Sequence, residues 1–306
     1  MNVIDYESAV KELRTINDLV RWGATHFKRA DLYFGHGTDN ALDEALALVL
    51  FSVNLEFGLP GELMAARLTE GERAAAVALL KRRIDEKVPA SYITHEAWFA
   101  GMKFFVDERV LVPRSPVAEL IDSGFEPWLD ASQVGRVLDL CTGSGCIAIA
   151  CAFAFPGAAV DAVDISEDAL NVAKVNVEHY HLDEQVCLVQ SDVFEQLEQE
   201  SYDLIVSNPP YVDSLDMSNL PTEFKHEPVL GLAAGDDGLD IVTRILKDAT
   251  RYLSPQGILV VEVGNSQAAL CEKYPTVPFI WVDFARGGEG VFVLDCRTLK
   301  EFAAEF

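Results

Sequence analysis

After Pro116 the chain alternates helical stretches with short, nearly continuous apolar runs, and nothing else in the sequence narrows its possible folds as much. The runs cover residues 136–141, 159–164, 186–190, 202–207 and 257–263. A strand that is covered by helices on both faces loses the apolar and polar alternation of a half-exposed one. Such runs therefore predict a parallel sheet in an α/β fold. Two more candidate strands, 279–284 and 290–295, are separated only by Ala285-Arg286-Gly287-Gly288-Glu289. A glycine-containing loop that short makes a hairpin, so the sheet should end with an antiparallel strand.

The first ninety residues have a different period. Ile16, Leu19, Val20, Trp22, Ala24 and Phe27 predict an amphipathic helix over 5–30, and Leu42, Ala45, Leu46, Val49 and Leu50 predict another over 40–57. Thr69-Glu70-Gly71-Glu72 has the form of a capping box before a third helix that runs to about Lys87. From Ser91 to Pro116 aromatic and β-branched residues take over, and Pro113 and Pro116 disfavour helix at the residues before them. Three segments follow: a small helical domain over 1–90, a β-hairpin and extended linker over 91–116, and the α/β domain over 117–306.

A length of 306 residues suits two domains. The start, Met1-Asn2-Val3-Ile4-Asp5-Tyr6-Glu7, lacks the basic residues and apolar run of a signal peptide, and no apolar stretch reaches the roughly 18 residues of a membrane helix. A cytoplasmic protein with no membrane partner is expected. Cysteines at 141, 146, 151, 187, 271 and 296 form no CxxC pair, so they read as reduced core residues rather than disulfides or zinc ligands. Residues 1–95 carry 11 basic and 14 acidic side chains, and residues 96–306 carry 13 and 35. That second half repels a phosphate backbone and suits a basic protein partner, although acidic surfaces also simply aid solubility.

The first predicted strand runs into Asp139-Leu140-Cys141-Thr142-Gly143-Ser144-Gly145-Cys146, and a helix begins directly afterwards. Glycines let the backbone turn tightly and approach a ligand at the carboxyl edge of the sheet. The turn does not complete Gly-x-Gly-x-x-Gly, since Ala148 stands where the third glycine would be, and it has no phosphate-binding Gly-Lys-Ser/Thr. Asp164, at the end of the second strand, can accept both hydroxyls of a ribose, so an adenosine without a pyrophosphate is favoured. Asp192 follows the third strand and either accepts from an adenine amino group or serves as a turn carboxylate. Asp139 either anchors a cationic group of the ligand or holds the glycine loop by accepting its N–H groups.

The fourth strand opens into Asn208-Pro209-Pro210-Tyr211. Two prolines fix φ and remove two donors, which leaves a rigid row of carbonyls. An amide nitrogen is a poor nucleophile because its lone pair is delocalised. A site that uses one must accept both N–H hydrogens while aligning the nitrogen. The Asn208 side-chain oxygen and the Pro209 carbonyl can supply those acceptors, and Tyr211 can stack on the planar group.

With these motifs in order, residues 134–295 resemble a class I S-adenosyl-L-methionine-dependent methyltransferase with a Rossmann-like seven-stranded sheet. The resemblance implies S-adenosyl-L-methionine as cofactor and S-adenosyl-L-homocysteine as product. It implies cofactor contacts at Asp139, Thr142, Gly143, Gly145, Asp164, Ile165, Asp192, Val193 and Asn208. Asn208, Pro209 and Tyr211 would be catalytic, and Asn208 to Tyr211 together would bind the substrate.

The helical N-terminal domain, Leu111-Val112-Pro113-Arg114, Asn208–Tyr211 and Glu227-Pro228 together resemble the protein glutamine methyltransferases. Gly35-His36-Gly37-Thr38-Asp39-Asn40, Trp98-Phe99 and Val112-Pro113-Arg114-Ser115-Pro116 are similar to the branch that modifies a glutamine of the large-subunit ribosomal protein uL3. The release-factor branch usually has Pro-Arg-Pro, from which Ser115 departs, and of the acidic segment that follows only Glu119 is kept. Arg114 either approaches the cofactor or braces the linker. His36 is either a contact residue or part of a helix-connecting loop, and His226 either orders a loop over the substrate or is solvated. The resemblance implies a basic ribosomal-protein partner and no direct specific nucleic acid. The competing activity is exocyclic-amine methylation of DNA or RNA, which would use the same tetrapeptide on a flipped base but needs a basic channel. A cofactor-binding module without transfer activity is the non-enzymatic alternative.

Overall fold

The computed structural model describes residues 4–198 and 200–306. Its contacts divide the chain into two compact units. One takes in the chain up to Glu96 together with Pro221–His226, and the other comprises Ala97–Leu220 and Glu227–Phe306. The return of Pro221–His226 to the helical unit has no signal in the hydrophobic pattern.

The helical unit contains α1 (Tyr6–Glu12), α2 (Ile16–Arg29), α3 (Ala41–Ser52), α4 (Gly61–Met64), α5 (Glu70–Glu86) and α6 (Ala90–Thr94). The single helix expected over 5–30 is broken at Leu13–Thr15 by capping chemistry. Thr15 Oγ1 accepts the Asp18 N–H at 3.1 Å, while the Asp18 carboxylate accepts the Thr15 N–H at 3.0 Å. That reciprocal pair satisfies donors that a continuous helix would have bonded internally. The capping box of Thr69 and Glu72 forms as expected, and α5 ends at Lys87 in the left-handed region. Ala90–Thr94 is helical where the hairpin was expected to begin, behind Pro89.

Leu19, Phe27, Leu48 and Leu80 are fully buried in this unit, and so is an ionic cluster. Arg83, 1 % exposed, bonds Glu44 at 2.6 Å, Glu223 at 3.2 Å and the Tyr33 carbonyl at 2.8 Å. Glu223 also accepts the Tyr33 N–H, so the cluster stitches the returning segment into the unit.

The second unit opens at Ala97, within a hairpin of β1 (Glu96–Phe99) and β2 (Met102–Phe105), which form their own two-stranded sheet. Then follow α7 (Val117–Asp122), β3 (Arg136–Leu140), α8 (Cys146–Ala154), β4 (Ala159–Asp164), α9 (Glu167–His179), β5 (Val186–Gln190) and β6 (Tyr202–Ser207). The chain continues through α10 (Ser214–Asn219), α11 (Asp240–Ala249), β7 (Leu253–Glu262), α12 (Gln267–Lys273), β8 (Ile280–Trp281), β9 (Val291–Asp295) and α13 (Cys296–Glu301).

The main sheet has seven strands in the order β5-β4-β3-β6-β7-β9-β8, and β3 to β7 are parallel. Adjacent residues feed opposite cores: Val137, Leu204 and Ile258 join one cluster, and Leu138, Ile205 and Leu259 join the other. This two-sided burial is why the runs are continuously apolar. The antiparallel strand is last in the chain but not at the edge. β9 pairs β7 from Ile258↔Asp295 to Glu262↔Val291 and leaves β8 outside it. β9 is the more apolar partner, with four of its residues buried, whereas β8 has two residues and Ile280 is exposed, as suits a short edge strand.

The cysteines need one correction. Cys146, Cys151 and Cys296 are buried, but Cys187 and Cys271 are exposed and Cys141 lies between; all six are free. No helix among the described residues is long and apolar enough to cross a membrane.

Removing Arg83 leaves two buried carboxylates without a counter-charge. Arg83→Ala should destabilise the protein by about 3–5 kcal/mol, as read from urea unfolding. A loss below about 1 kcal/mol would show that the cluster contributes little to stability.

Candidate active site

The parallel registers fix where the candidate groups lie. Leu140 pairs with both Val163 and Ser207, and Asp164 pairs with Gln190. The carboxyl ends of β3, β4, β5 and β6 therefore share one edge. Cys141–Gly145, Asp164, Asp192 and Asn208 follow or end those strands there. The Ser207 hydroxyl donates to the Leu140 carbonyl at 2.8 Å, which fastens β6 to β3 just before the two loops diverge.

Asp139 is fully buried and divides its oxygens. Oδ2 accepts from the Thr142 hydroxyl at 2.5 Å and from the Ala148 N–H at 3.0 Å, whereas Oδ1 is buried with no partner. One oxygen thus holds the glycine loop and the other stays open for a donor. Burial, with a smaller contribution from nearby Asp164, pushes this carboxyl up to about 7 against the lowering effect of its two bonds.

Asp164 accepts the Gly143 N–H through Oδ2 and the Ser166 N–H through Oδ1, each at 2.9 Å. It fastens the glycine loop to the second strand, a role with no signal in the spacing. Its lone pairs are not exhausted, because a carboxylate offers about four acceptor sites. Burial raises its pKa, and the N–H groups of Ser166, Gly143 and Ile165 oppose that.

Within the loop, Gly143 and Gly145 have φ of +55° and +80°. A Cβ at Gly145 would lie 3.2 Å from the Ala173 Cβ, so glycine permits both the turn and the close approach of α9. Thr142 is buried, with its N–H on the Val163 carbonyl at 2.9 Å.

Ile165 is 46 % exposed beside Asp164, and Val193 is buried with φ of +55°. Asp192 pairs with Arg244 at 2.8 Å, a partner not foreseen from sequence because it comes from α11. An open pocket of about 240 Å³ is lined by Asp192, Val193, Phe194, Arg244 and Tyr252, but not by Asp139, Asp164 or Asn208. The strand-end geometry, not that pocket, locates the site.

The Asn208 side chain is partly exposed, and among the described residues it makes no hydrogen bond. Neither does the carbonyl of Pro209, a buried residue. Pro210 is partly buried. Tyr211, in contrast, is held at three points. Its hydroxyl donates to Glu262 at 3.0 Å, its carbonyl accepts from Ser266 at 2.8 Å, and its ring lies over Gly264. Burial and the adjacent Glu262 carboxylate raise the Tyr211 pKa.

Arg114 donates to both oxygens of Glu227, at 2.5 and 2.8 Å, and Glu227 also accepts the Val112 N–H. Arg114 thus braces the linker. Glu119 accepts the N–H groups of Ala285 and Arg286 and so holds the loop between β8 and β9. His36 is buried against Phe224, with ring centroids 4.6 Å apart, inside the helical unit rather than at its surface. His226 Nε2 lies 3.1 Å from the Glu86 carbonyl, so it is not simply solvated.

An open sheet with one antiparallel strand next to its edge, and a match of residues 121–227 to the family described as Methyltransferase small domain, make this a class I methyltransferase. The protein is 53 % identical to the ribosomal protein uL3 glutamine methyltransferase of Xanthomonas campestris pv. campestris, over 97 % of this chain and 96 % of that one. To the ribosomal protein uL3 glutamine methyltransferase of Francisella tularensis subsp. tularensis it is 45 % identical, over 98 % and 96 %. The chain belongs to the family of ribosomal protein uL3 glutamine methyltransferases. Among solved structures, human methyltransferase 10 domain containing protein superposes with a TM-score of 0.45 at 21 % identity, over 64 % of this chain and 89 % of that one.

A Cβ at Gly264 would stand 2.6 Å from Cε2 of the Tyr211 ring, at φ of +46°. Gly264→Ala should therefore displace the ring and lower methyl transfer by at least about tenfold, with a stability loss of about 1–2 kcal/mol. Turnover equal to the parent enzyme's would show that the ring position does not matter.

Proposed function

We propose that the protein transfers a methyl group from S-adenosyl-L-methionine to the side-chain amide nitrogen of a glutamine in the large-subunit ribosomal protein uL3. In this reading the helical segment 1–90 recognises the substrate, 91–116 links, and 117–306 performs the transfer. The observation that carries it is the pair of unused acceptors, the Asn208 carboxamide oxygen and the Pro209 carbonyl, next to a tyrosine whose hydroxyl and carbonyl are already bonded.

The residues present fit the cofactor. Asp139 Oδ1, buried without a partner, suits the ammonium of its methionine end. Asp164 would take the ribose hydroxyls with its remaining lone pairs, between Gly143 and Ile165. Asp192 would take the adenine amino group beside Val193, and Thr142 and Gly145 would shape the turn beneath. When bound, S-adenosyl-L-methionine supplies a methyl group already activated on a sulfonium.

The chain's own residues then have a limited task. Asn208 Oδ1 and the Pro209 carbonyl accept the two amide hydrogens, and both stabilise positive charge as it develops on nitrogen. The two prolines fix φ at 209 and 210 and so hold the backbone that carries the Pro209 carbonyl, and the Tyr211 face holds the amide plane. No base is needed to begin the reaction; the nitrogen, once methylated, would release its surplus proton to solvent, because the departing thioether takes none. The strongly acidic composition of residues 96–306 supports a basic protein substrate.

Incubation with labelled cofactor and ribosomal proteins from cells lacking this chain should label one basic protein on a glutamine. Asn208→Ala should cut turnover about a hundredfold or more while leaving cofactor affinity within about threefold. Label found only in nucleic acid would instead favour an exocyclic-amine methyltransferase.

Asp139 adds a pH dependence. Its carboxyl is raised to about 7 in the free protein, so it is largely protonated below that pH. An ammonium partner favours the ionised form, so binding releases a proton and strengthens with rising pH up to about 7, then levels off. Titration of S-adenosyl-L-homocysteine between about pH 5.5 and 8.5 should show this slope, and Asp139→Asn should abolish it. A flat profile in the parent protein would remove Asp139 from the cofactor site.

A further inference from the structure

We infer that Glu262 and Ser115 are positioning residues for Tyr211, and fix the angle at which its ring meets the substrate amide. This rests on the role proposed above for Tyr211. Three separate stretches of chain converge here: the linker through Ser115, the end of β7 through Glu262, and the loop after β6 through Tyr211.

The directions of the hydrogen bonds are determined. Ser115 Oγ accepts the Val117 N–H at 3.2 Å, which turns its own proton toward Glu262 Oε2, 2.5 Å away. The Tyr211 phenol donates to Oε1 of the same carboxylate at 3.0 Å. Glu262 therefore acts as acceptor to both, and each oxygen is committed to a different segment. Ser115 fixes the carboxylate plane, and the plane fixes the phenol.

Glu262 is an expensive residue at this position. It is 5 % exposed and is the only charged residue in 257–263, where Ile258 to Val261 and Val263 are all buried and apolar. Burial pushes its carboxyl up, while the Ser115 and Tyr211 bonds and the Arg114 charge draw it down. An apolar residue of similar size would serve the core at lower cost. What such a residue could not do is hold a phenol oxygen at one point in space. Ser266 already holds the Tyr211 carbonyl and Gly264 leaves room for the ring, so the hydroxyl bond removes the remaining rotation.

A double-mutant cycle tests this on the full-length enzyme with ribosomal protein uL3 as substrate. Tyr211→Phe and Glu262→Gln should each lower kcat about tenfold, with KM for S-adenosyl-L-methionine within about twofold. The double variant should be no worse than the poorer single, about tenfold rather than a hundredfold. Ser115→Ala should lower kcat about threefold, again without adding to Tyr211→Phe, and Ser115→Thr should restore it. Thermal unfolding reports whether Glu262→Gln keeps its fold; where it does not, the Ser115 and Tyr211 cycle decides alone. Additive losses, or an undiminished kcat in folded Glu262→Gln, would overturn the positioning role. A parent enzyme that methylates no ribosomal protein would instead overturn the proposed function.

Discussion

Parallel pairing at a shared register is the constraint on which the rest of this molecule depends. Because Leu140 faces Val163 on one side and Ser207 on the other, the loops after β3, β4 and β6 must emerge side by side. A shift of two residues in either pairing would move one loop by about 6–7 Å and separate Asp164 from the glycine turn. The buried, continuously apolar strands make such a slip costly, since both faces are packed. Precision at the strand ends is therefore a product of the core rather than of the loops themselves.

The loops in turn are held by the carboxylates that the proposed chemistry would use. Asp139 bonds Thr142 and Ala148 with one oxygen, and Asp164 bonds Gly143 and Ser166. A ligand that engaged either residue would meet a group whose direction is already fixed, so little ordering entropy remains to be lost on binding. The same economy has a consequence for interpretation: replacing either aspartate disturbs the loop as well as any ligand contact. Only Oδ1 of Asp139 is free of structural duty.

Sequence made the parallel strands legible nearly to the residue at 159–164, 186–190 and 202–207, because each is an apolar run bounded by polar or turn residues. The glycine turn, Asp164 and Asn208 were legible for the same reason: each sits next to a strand end that could be located. What escaped was non-local. Arg244 reaches Asp192 from 52 positions away, and Glu262 reaches Ser115 from 147. The break between α1 and α2 was local but concealed, since the apolar period continues through Thr15 while the capping of Asp18 overrides it. The place of β9 inside β8 was also beyond the pattern, because a hairpin signal says that two strands pair and not which of them lies outward.

The distribution of satisfied and open polar groups separates the residues that would touch substrate from those that would hold them. Around Asn208–Tyr211, the phenol, the Tyr211 carbonyl, Ser115 and Glu262 are all bonded, and so is Arg114 to Glu227. The Asn208 carboxamide and the Pro209 carbonyl are not. An acceptor left unmade in a partly buried place costs about 1–3 kcal/mol once water is excluded. When a bound substrate shuts water away from Asn208 and Pro209, these two acceptors carry that cost until a donor reaches them. A group bringing two N–H donors on one planar nitrogen would remove it, and a side-chain amide is such a group.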